Sequence, residues 1–288
     1  MDSHEIAVLS RHFEKIGARL RVDSEVTHAP SHRREPYTLD VQENKRGSKE
    51  ETYLLRVRPA ALESLQISVL DVQPQLRHLL LMARPLEIKD TERPALTLTE
   101  QSRLLCGHDE RHWFVAAVKN GVGAPTGVAE AMESLKPAGV AAQQYRAGVR
   151  AKDWHRRKNA GFVRQGEWFF LPEPDLVPSK NAVIYSDEPI RRSSGNKPHI
   201  VEELIRDGGD TVYVCDRYSA GVSEARYQQL LKTKTGARAF NWRPMRRNPD
   251  VYARGRVRHA DHATLFLPCW HRVRMNGEIL SAQVAFLD

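Results

Sequence analysis

Ile6, Leu9, Phe13, Ile16 and Leu20 recur at alternating spacings of three and four. That period places them on one face of a helix at the start of the chain. Residues 24–36, SEVTHAPSHRREP, are polar and proline-broken, which predicts a loop. The pattern then turns to strand type. Segments 37–41, 52–57, 66–71 and 77–82 alternate apolar with polar residues or are rich in β-branched and aromatic ones. Arg46-Gly47-Ser48 and Pro59 interrupt them, so an antiparallel meander is expected. A less regular stretch, 85–100, precedes another strand pair at 102–106 and 112–118.

Residues 119–127, KNGVGAPTG, form a Gly/Pro break. A helix is expected after Thr126 as N-cap, carrying Val128, Met132 and Leu135 and ending at Pro137. A second helical piece is expected at 140–148. Farther on, Asn196 can cap a helix with Pro198 in its first turn. Ile200, Leu204 and Ile205 would be its apolar face and Gly208-Gly209 its stop. TVYVC at 211–215 reads as a buried strand, followed by a loop and a helix at 224–234 capped by Ser223. From 254 onward the chain reads as β: RGRVRH, ATLFL, HRVRM and ILSAQVAFL, with Asn276-Gly277 as a hairpin signal. The fold class is therefore α+β: an N-terminal helix plus antiparallel sheet, then a basic mixed α/β region ending in β-hairpins. The expected division is a helix-and-sheet domain at 1–120, a helical connector at 121–150 and a basic α+β domain at 151–288.

Composition narrows the class. The 288 residues are 41% hydrophobic and 28% charged, which excludes collagen, coiled coil or disorder for the chain as a whole. No apolar run approaches the ~20 residues that cross a bilayer, so no membrane partner is expected. The first residues do not read as a secretory signal. The three cysteines, Cys106, Cys215 and Cys269, form no CxxC pair. A cytoplasmic location without a disulfide framework is the expectation.

Charge changes the picture more. Residues 1–144 hold 19 Lys/Arg and 20 Asp/Glu, a net of −1; residues 145–288 hold 25 and 16, a net of +9. Segment 226–258 has ten basic residues against Asp250 alone, with Tyr227, Phe240, Trp242 and Tyr252 interleaved. Segment 146–164 has seven against Asp153 alone, with Trp154 and His155. Guanidinium forks match phosphate oxygens, and aromatic faces stack on unpaired bases. The expected partner is nucleic acid, with RNA or single-stranded DNA preferred, inside a larger nucleoprotein assembly that includes protein partners. Arg156, Arg157, Lys158, Arg191, Arg192, Arg243, Arg246 and Arg247 are the phosphate contacts in this reading. Trp154 and Trp242 are the stacking candidates. The loop around Arg191-Arg192 precedes the expected helix start, where backbone amides could hold a phosphate.

Five of the twelve histidines fall in two short segments. One is CGHDERHWF, with His108, Asp109 and His112. The other runs from His259 through Asp261 and His262 to Cys269 and His271. Imidazole, thiolate and carboxylate are the ligands of zinc and similar divalent metals. His108, His112, His259, His262, Cys269 and His271 are therefore metal-ligand candidates, with Asp109 or Asp261 as base. The Asp261-His262 pair resembles the opening of HNH-type nuclease motifs. Those continue into a ligand-bearing helix, whereas the residues after His262 read as strand. Cys215, at a strand end before a loop and helix, resembles the way cysteine phosphatases present a thiolate. Their arginine six positions later is absent, since position 221 is Gly. No Walker loop, complete dinucleotide fingerprint or GxSxG elbow occurs. Nucleic-acid binding ranks first, a metal-dependent hydrolase or nuclease second, and a non-catalytic protein-interaction adaptor third.

Overall fold

The computed structural model describes residues 1–23, 36–43, 50–85, 101–180, 182–192 and 197–278. Helix α1 (Ser3–Lys15) starts with a capping box. The Asp2 carboxylate accepts from the Glu5 amide, and the Glu5 carboxylate accepts from the Asp2 amide. Strands β1 (Leu20–Asp23), β2 (Tyr37–Glu43) and β3 (Glu51–Val57) form one sheet with β3 in the centre. There β1 runs parallel to β3, and β2 antiparallel. Strands β4 (Leu65–Gln73), β5 (His78–Pro85), β6 (Ser102–Asp109) and β7 (His112–Val118) form an antiparallel meander.

The single sheet expected for this half is thus two. A short 3-10 turn at Pro59–Ala61 redirects the chain between them. Helix α1 and both sheets enclose one core containing Phe13, Tyr53, Leu55, Leu79, Leu81 and Leu104. The fully buried Tyr53 hydroxyl lies 2.9 Å from the Phe114 carbonyl and 3.1 Å from that of Gly107, linking the sheets. Most of the irregular stretch, 86–100, lies outside the described residues.

Helices α2 (Val128–Ser134) and α3 (Val140–Arg146) follow. Thr126 is not the cap of α2. Its amide and hydroxyl both donate to Glu130, at 2.8 and 2.9 Å, and Gly127 takes the N-cap position. The Val128 amide donates instead to the Asp71 carboxylate on β4, at 2.8 Å. A side chain distant in sequence thus replaces the local cap. Val128, Ala131 and Leu135 pack on Leu80, Leu105 and Val118.

The remaining strands are β8 (Lys158–Asn159), β9 (Phe162–Gln165), β10 (Trp168–Pro172), β11 (Ile184–Ile190), β12 (His199–Asp207), β13 (Asp210–Cys215) and β14 (Tyr218–Ser223). After α4 (Glu224–Thr233) come β15 (Arg243–Arg247), β16 (Asp250–Arg258) and β17 (Leu265–Met275). A seven-stranded antiparallel sheet has the order β11-β12-β16-β17-β10-β9-β8. Phe170, Val201, Leu204, Ala253, Val257 and Leu267 form its core. The α+β class holds, and no described helix is long and apolar enough to cross a membrane.

Three expectations for this half are corrected. The helix read from 196 to 208 is strand β12, paired on both edges. The register with β16 shifts between Val201 and Glu203, and Val201 and Leu204 are buried in one cluster while Ile205 is buried in another, a spacing that imitates a helix. The loop after Cys215 is the turn of the β13–β14 hairpin, and β13 is half exposed. ATLFL and HRVRM are parts of one strand, β17. Exposed Pro268 sits in it where the register with β16 shifts between Ala253 and Gly255. The strand expected at 279–287 lies outside the described residues. Met275 ends β17, and the Gly277 amide donates to the Leu135 carbonyl at 2.8 Å.

Leu204 is completely buried between β11 and β16, so Leu204→Ala leaves a cavity. Urea unfolding should show a loss of about 2–5 kcal/mol, while Val183→Ala at a site 62% exposed shifts stability by less than ~0.5 kcal/mol.

Candidate functional site

Strands β12 and β16 are neighbours in the large sheet, yet residues 208–249 lie between them in sequence. This insertion is a small lobe of its own. A Gly208-Gly209 turn leads into β13, which pairs with β14 on one side and β15 on the other. Helix α4 follows β14 directly, and the Ser223 hydroxyl caps it by accepting from the Arg226 amide. Leu230, Ala237, Cys215 and Val212 are buried. Tyr213 stacks on Tyr227 at 3.9 Å, and Tyr218 on Trp242 at 5.5 Å. Trp242 also meets the rings of Tyr227 and Phe240, and its indole N–H donates to the Ala237 carbonyl at 2.8 Å. Tyr227, Phe240 and Trp242 therefore pack within the lobe as half-buried rings, while Tyr252 lies outside it on β16, and Trp242 has a structural role in the lobe.

The lobe carries eight basic residues and three acidic ones, a net of +5 in a chain of +8. All eight, Arg217, Arg226, Lys232, Lys234, Arg238, Arg243, Arg246 and Arg247, are exposed. None forms an ion pair among the described residues. Arg246 and Arg247 donate to backbone carbonyls, of Gly209 and of Ala220 and Gly221. Arg217 and Lys234 lie over the Phe240 ring, at 5.0 and 5.6 Å. Lys232, Arg238 and Arg243 have no side-chain partner among the described residues. Every residue of β15, a sheet edge, is exposed.

The other basic segment is different. Arg157 pairs with Asp109 at 2.9 Å and with Glu110, and Arg164 pairs with Asp109 at 2.5 Å. Asp109 and Glu110 sit at the β6–β7 turn, so these arginines tie the large sheet to the meander. Arg150 and Arg156 both pair with Asp153 at 3.1 Å. Trp154 is engaged as well: its N–H donates to Glu133, Lys136 lies 4.7 Å over its ring, and Tyr145 packs on it. Arg192 forms a largely buried pair with Glu278 at 2.5 Å. Lys158 and Arg191 are exposed and unpaired among the described residues. Outside the lobe, Arg254 pairs with Glu203 and Arg258 with Asp187.

The histidine candidates separate. His108 packs edge-on to Trp113. His112 lies 2.5 Å from Glu51, whose other oxygen accepts from the Trp113 amide at 2.6 Å. His271 is buried against the Cys269 carbonyl at 2.8 Å, with the Cys269 sulfur 3.9 Å away. Cys215 is buried in its hairpin. His259 and His262 do meet, with ring centroids 4.7 Å apart, and His199 joins them at 4.2 and 5.7 Å. One ring nitrogen from each of the three lies within 4.8 Å of the others. His199 is 1% exposed, and neither of its ring nitrogens has a hydrogen-bond partner. Burial, reinforced by the two neighbouring imidazoles, pushes its pKa down to about 3, so it stays neutral near pH 7. His262 Nδ1–H donates to Glu110 at 2.9 Å. Asp261 is held by Lys197 at 2.8 Å. Burial would raise the Asp261 pKa, but the bonded Lys197 ammonium outweighs it and leaves the carboxyl below its usual value.

His199, Glu110 and Gly166 were not singled out by sequence. Residue 199 fell inside the expected helix, where no neighbour pointed to 259. No family model matches this chain, and neither a curated protein nor a solved structure resembles it at a significant level.

The contrast within the first basic segment is measurable. Arg157→Ala leaves Asp109 and Glu110 short of a half-buried partner and should cost about 2–3 kcal/mol in urea unfolding. Arg156→Ala removes a 68% exposed side chain from Asp153, which keeps Arg150, and should cost less than ~0.5 kcal/mol. Equal losses would mean that Arg157 is not an internal tie.

Proposed function

We propose that this protein binds nucleic acid through the phosphate backbone, and that the inserted lobe at 208–249 is the contact surface. One observation carries the reading: eight exposed cations lie within 42 residues, and none meets a carboxylate among the described residues. Ion pairing is the ordinary fate of arginine elsewhere in this chain, so the lobe's free charge is a local exception. Arg243, on the exposed edge strand β15 and without a side-chain partner among the described residues, presents its N–H fork to solvent, where phosphate oxygens can take it. A polyanion that docks there releases its condensed counterions, and that release supplies the affinity.

The lobe's tryptophan and tyrosines stack on one another, so base stacking is not the argument. Phosphate contacts fix position without reading sequence. The reading is therefore a sequence-tolerant binder, for which the partner-free Lys232, Arg238 and Arg243 are the central contacts, with Arg246 and Arg247 on β15 beside them. Lys158 and Arg191 remain available as outlying ones. Arg157 and Arg192 serve the fold in this account, and Arg156 is shared with Asp153.

Fluorescence anisotropy with labelled single-stranded DNA, RNA and duplex tests the proposal on the full chain. With about five phosphate contacts, affinity should fall roughly 10²–10³-fold between about 50 and 200 mM salt. The triple variant Lys232→Ala/Arg238→Ala/Arg243→Ala should flatten the slope by about three contacts with an unchanged circular dichroism spectrum. Binding that ignores salt, or a triple variant with unaltered slope, would falsify this assignment. Capture of an acidic protein in place of a polynucleotide would favour the adaptor reading.

A further inference from the structure

At the His199 end of β12 lies a second feature, which stands independently of nucleic-acid binding. We propose that His199, His259 and His262 form a binding site for one divalent transition-metal ion of the zinc class. The sheet itself assembles the site. Ile200 is paired with Arg258 across the β12–β16 ladder, so the next residues outward, His199 and His259, face each other. His262 returns three residues later. The resulting set is three imidazoles whose nitrogens converge within 4.8 Å.

Several observations fit an ion better than a packed aromatic cluster. His199 is almost completely buried, and both its nitrogens are unsatisfied. A buried polar group without a partner is costly, and a metal ion would satisfy it. His262 Nδ1 is bound to Glu110 at 2.9 Å, which leaves its Nε2 lone pair free. A carboxylate behind a histidine is the arrangement that orients metal ligands and raises their basicity. Glu110 is itself held by Arg157, so this support is rigid. Gly166, in the β9–β10 turn, adopts a left-handed φ of 55°. A Cβ there would lie 3.1 Å from His262 Nε2 and 3.5 Å from His199 Nε2. The absent side chain therefore leaves space at the point towards which the two rings face.

The donor set selects the ion. Three neutral imidazoles suit zinc, copper, nickel or cobalt, whereas magnesium and calcium require oxygen ligands. Bonds of about 2.0–2.1 Å in tetrahedral geometry place the nitrogens roughly 3.4 Å apart, so binding draws the three rings together. Three protein ligands leave a fourth position for solvent or for an exogenous donor.

The full chain is stripped with chelator and titrated with Zn²⁺ and Co²⁺. Equilibrium dialysis with elemental analysis gives the stoichiometry, and the visible bands of four-coordinate Co²⁺ report the geometry. One equivalent is expected. His262→Gln, at a half-buried position, and His199→Gln should each remove the bands while circular dichroism stays unchanged. Glu110→Gln touches the site only through His262, although it also loses the Arg157 pair, and should weaken Co²⁺ binding about 10–100-fold without abolishing it. Stoichiometry below roughly a tenth of an equivalent, with no cobalt bands, overturns the proposal. Bands that persist in the His262 variant also overturn it, because the ion would then be elsewhere.

Discussion

The pairing of β12 with β16 organises everything of interest in the second half of the chain. Asp207 opposes Asp250 at one end of this ladder, and Ile200 opposes Arg258 at the other. The first end releases the 42 residues of the inserted lobe. The second brings His199 to His259. A slip of one residue would exchange the two faces of the strand, each of which buries its own set, and undo both. The register is pinned by a specific fit. Gly255 has a φ of 81°, and a Cβ on it would lie 2.7 Å from the Glu202 carboxylate. That carboxylate instead accepts from the Arg256 amide at 2.7 Å. The irregularity itself lies on β16, where Gly255 and Arg256 stand opposite Glu202 alone.

Arginine has two roles in this protein, separated by burial. At the boundary between the meander and the large sheet, Arg157 and Arg164 lie 25% and 21% exposed against Asp109 and Glu110. Partial desolvation strengthens these contacts and makes the loss of any one member costly. In the lobe the side chains are exposed and meet no carboxylate among the described residues, so their charge is left as field, and the contacts they do make are to backbone carbonyls, the side chain of Gln229 and aromatic rings. The two sets have similar composition and opposite consequences. Glu110 connects the first set to the histidine cluster, because its carboxylate serves both Arg157 and His262.

Elements whose cues are local were legible in the sequence. The α1 face at 6, 9, 13 and 16, the meander strands and the Ser223-capped α4 all follow from period and capping. Strand β12 was not legible, because it buries residues in two clusters, Val201 and Leu204 in one and Ile205 in the other, at helical spacing. Its pairing with β16 and β11 decided the outcome, and pairing over some fifty residues leaves no local trace. The same reason explains the partial reading of the histidines. His259 and His262 were visible as neighbours, whereas His199 reaches them only through sheet register. The basic clusters were visible as composition. Which arginines find carboxylates depends on where β6, β7 and β9 meet, so nothing local shows that Arg157 and Arg164 are tied to Asp109 and Glu110.

The geometry of the ladder also constrains how its two ends can cooperate. Strand β12 runs for nine residues from His199 to Asp207. At ~3.3 Å per residue its ends are about 26 Å apart. An ion on the three imidazoles is thus a strand's length from the root of the lobe. A metal-activated water could reach a polynucleotide anchored there only if that chain also ran along the sheet to the other end. Within the protein itself a bound ion would have a nearer effect. It would fasten the 259–262 segment to the start of β12 at His199 and, because His262 donates to Glu110, to the β6–β7 turn. The three imidazoles thus lie beside the junction between the meander and the large sheet, where Glu110 also holds Arg157.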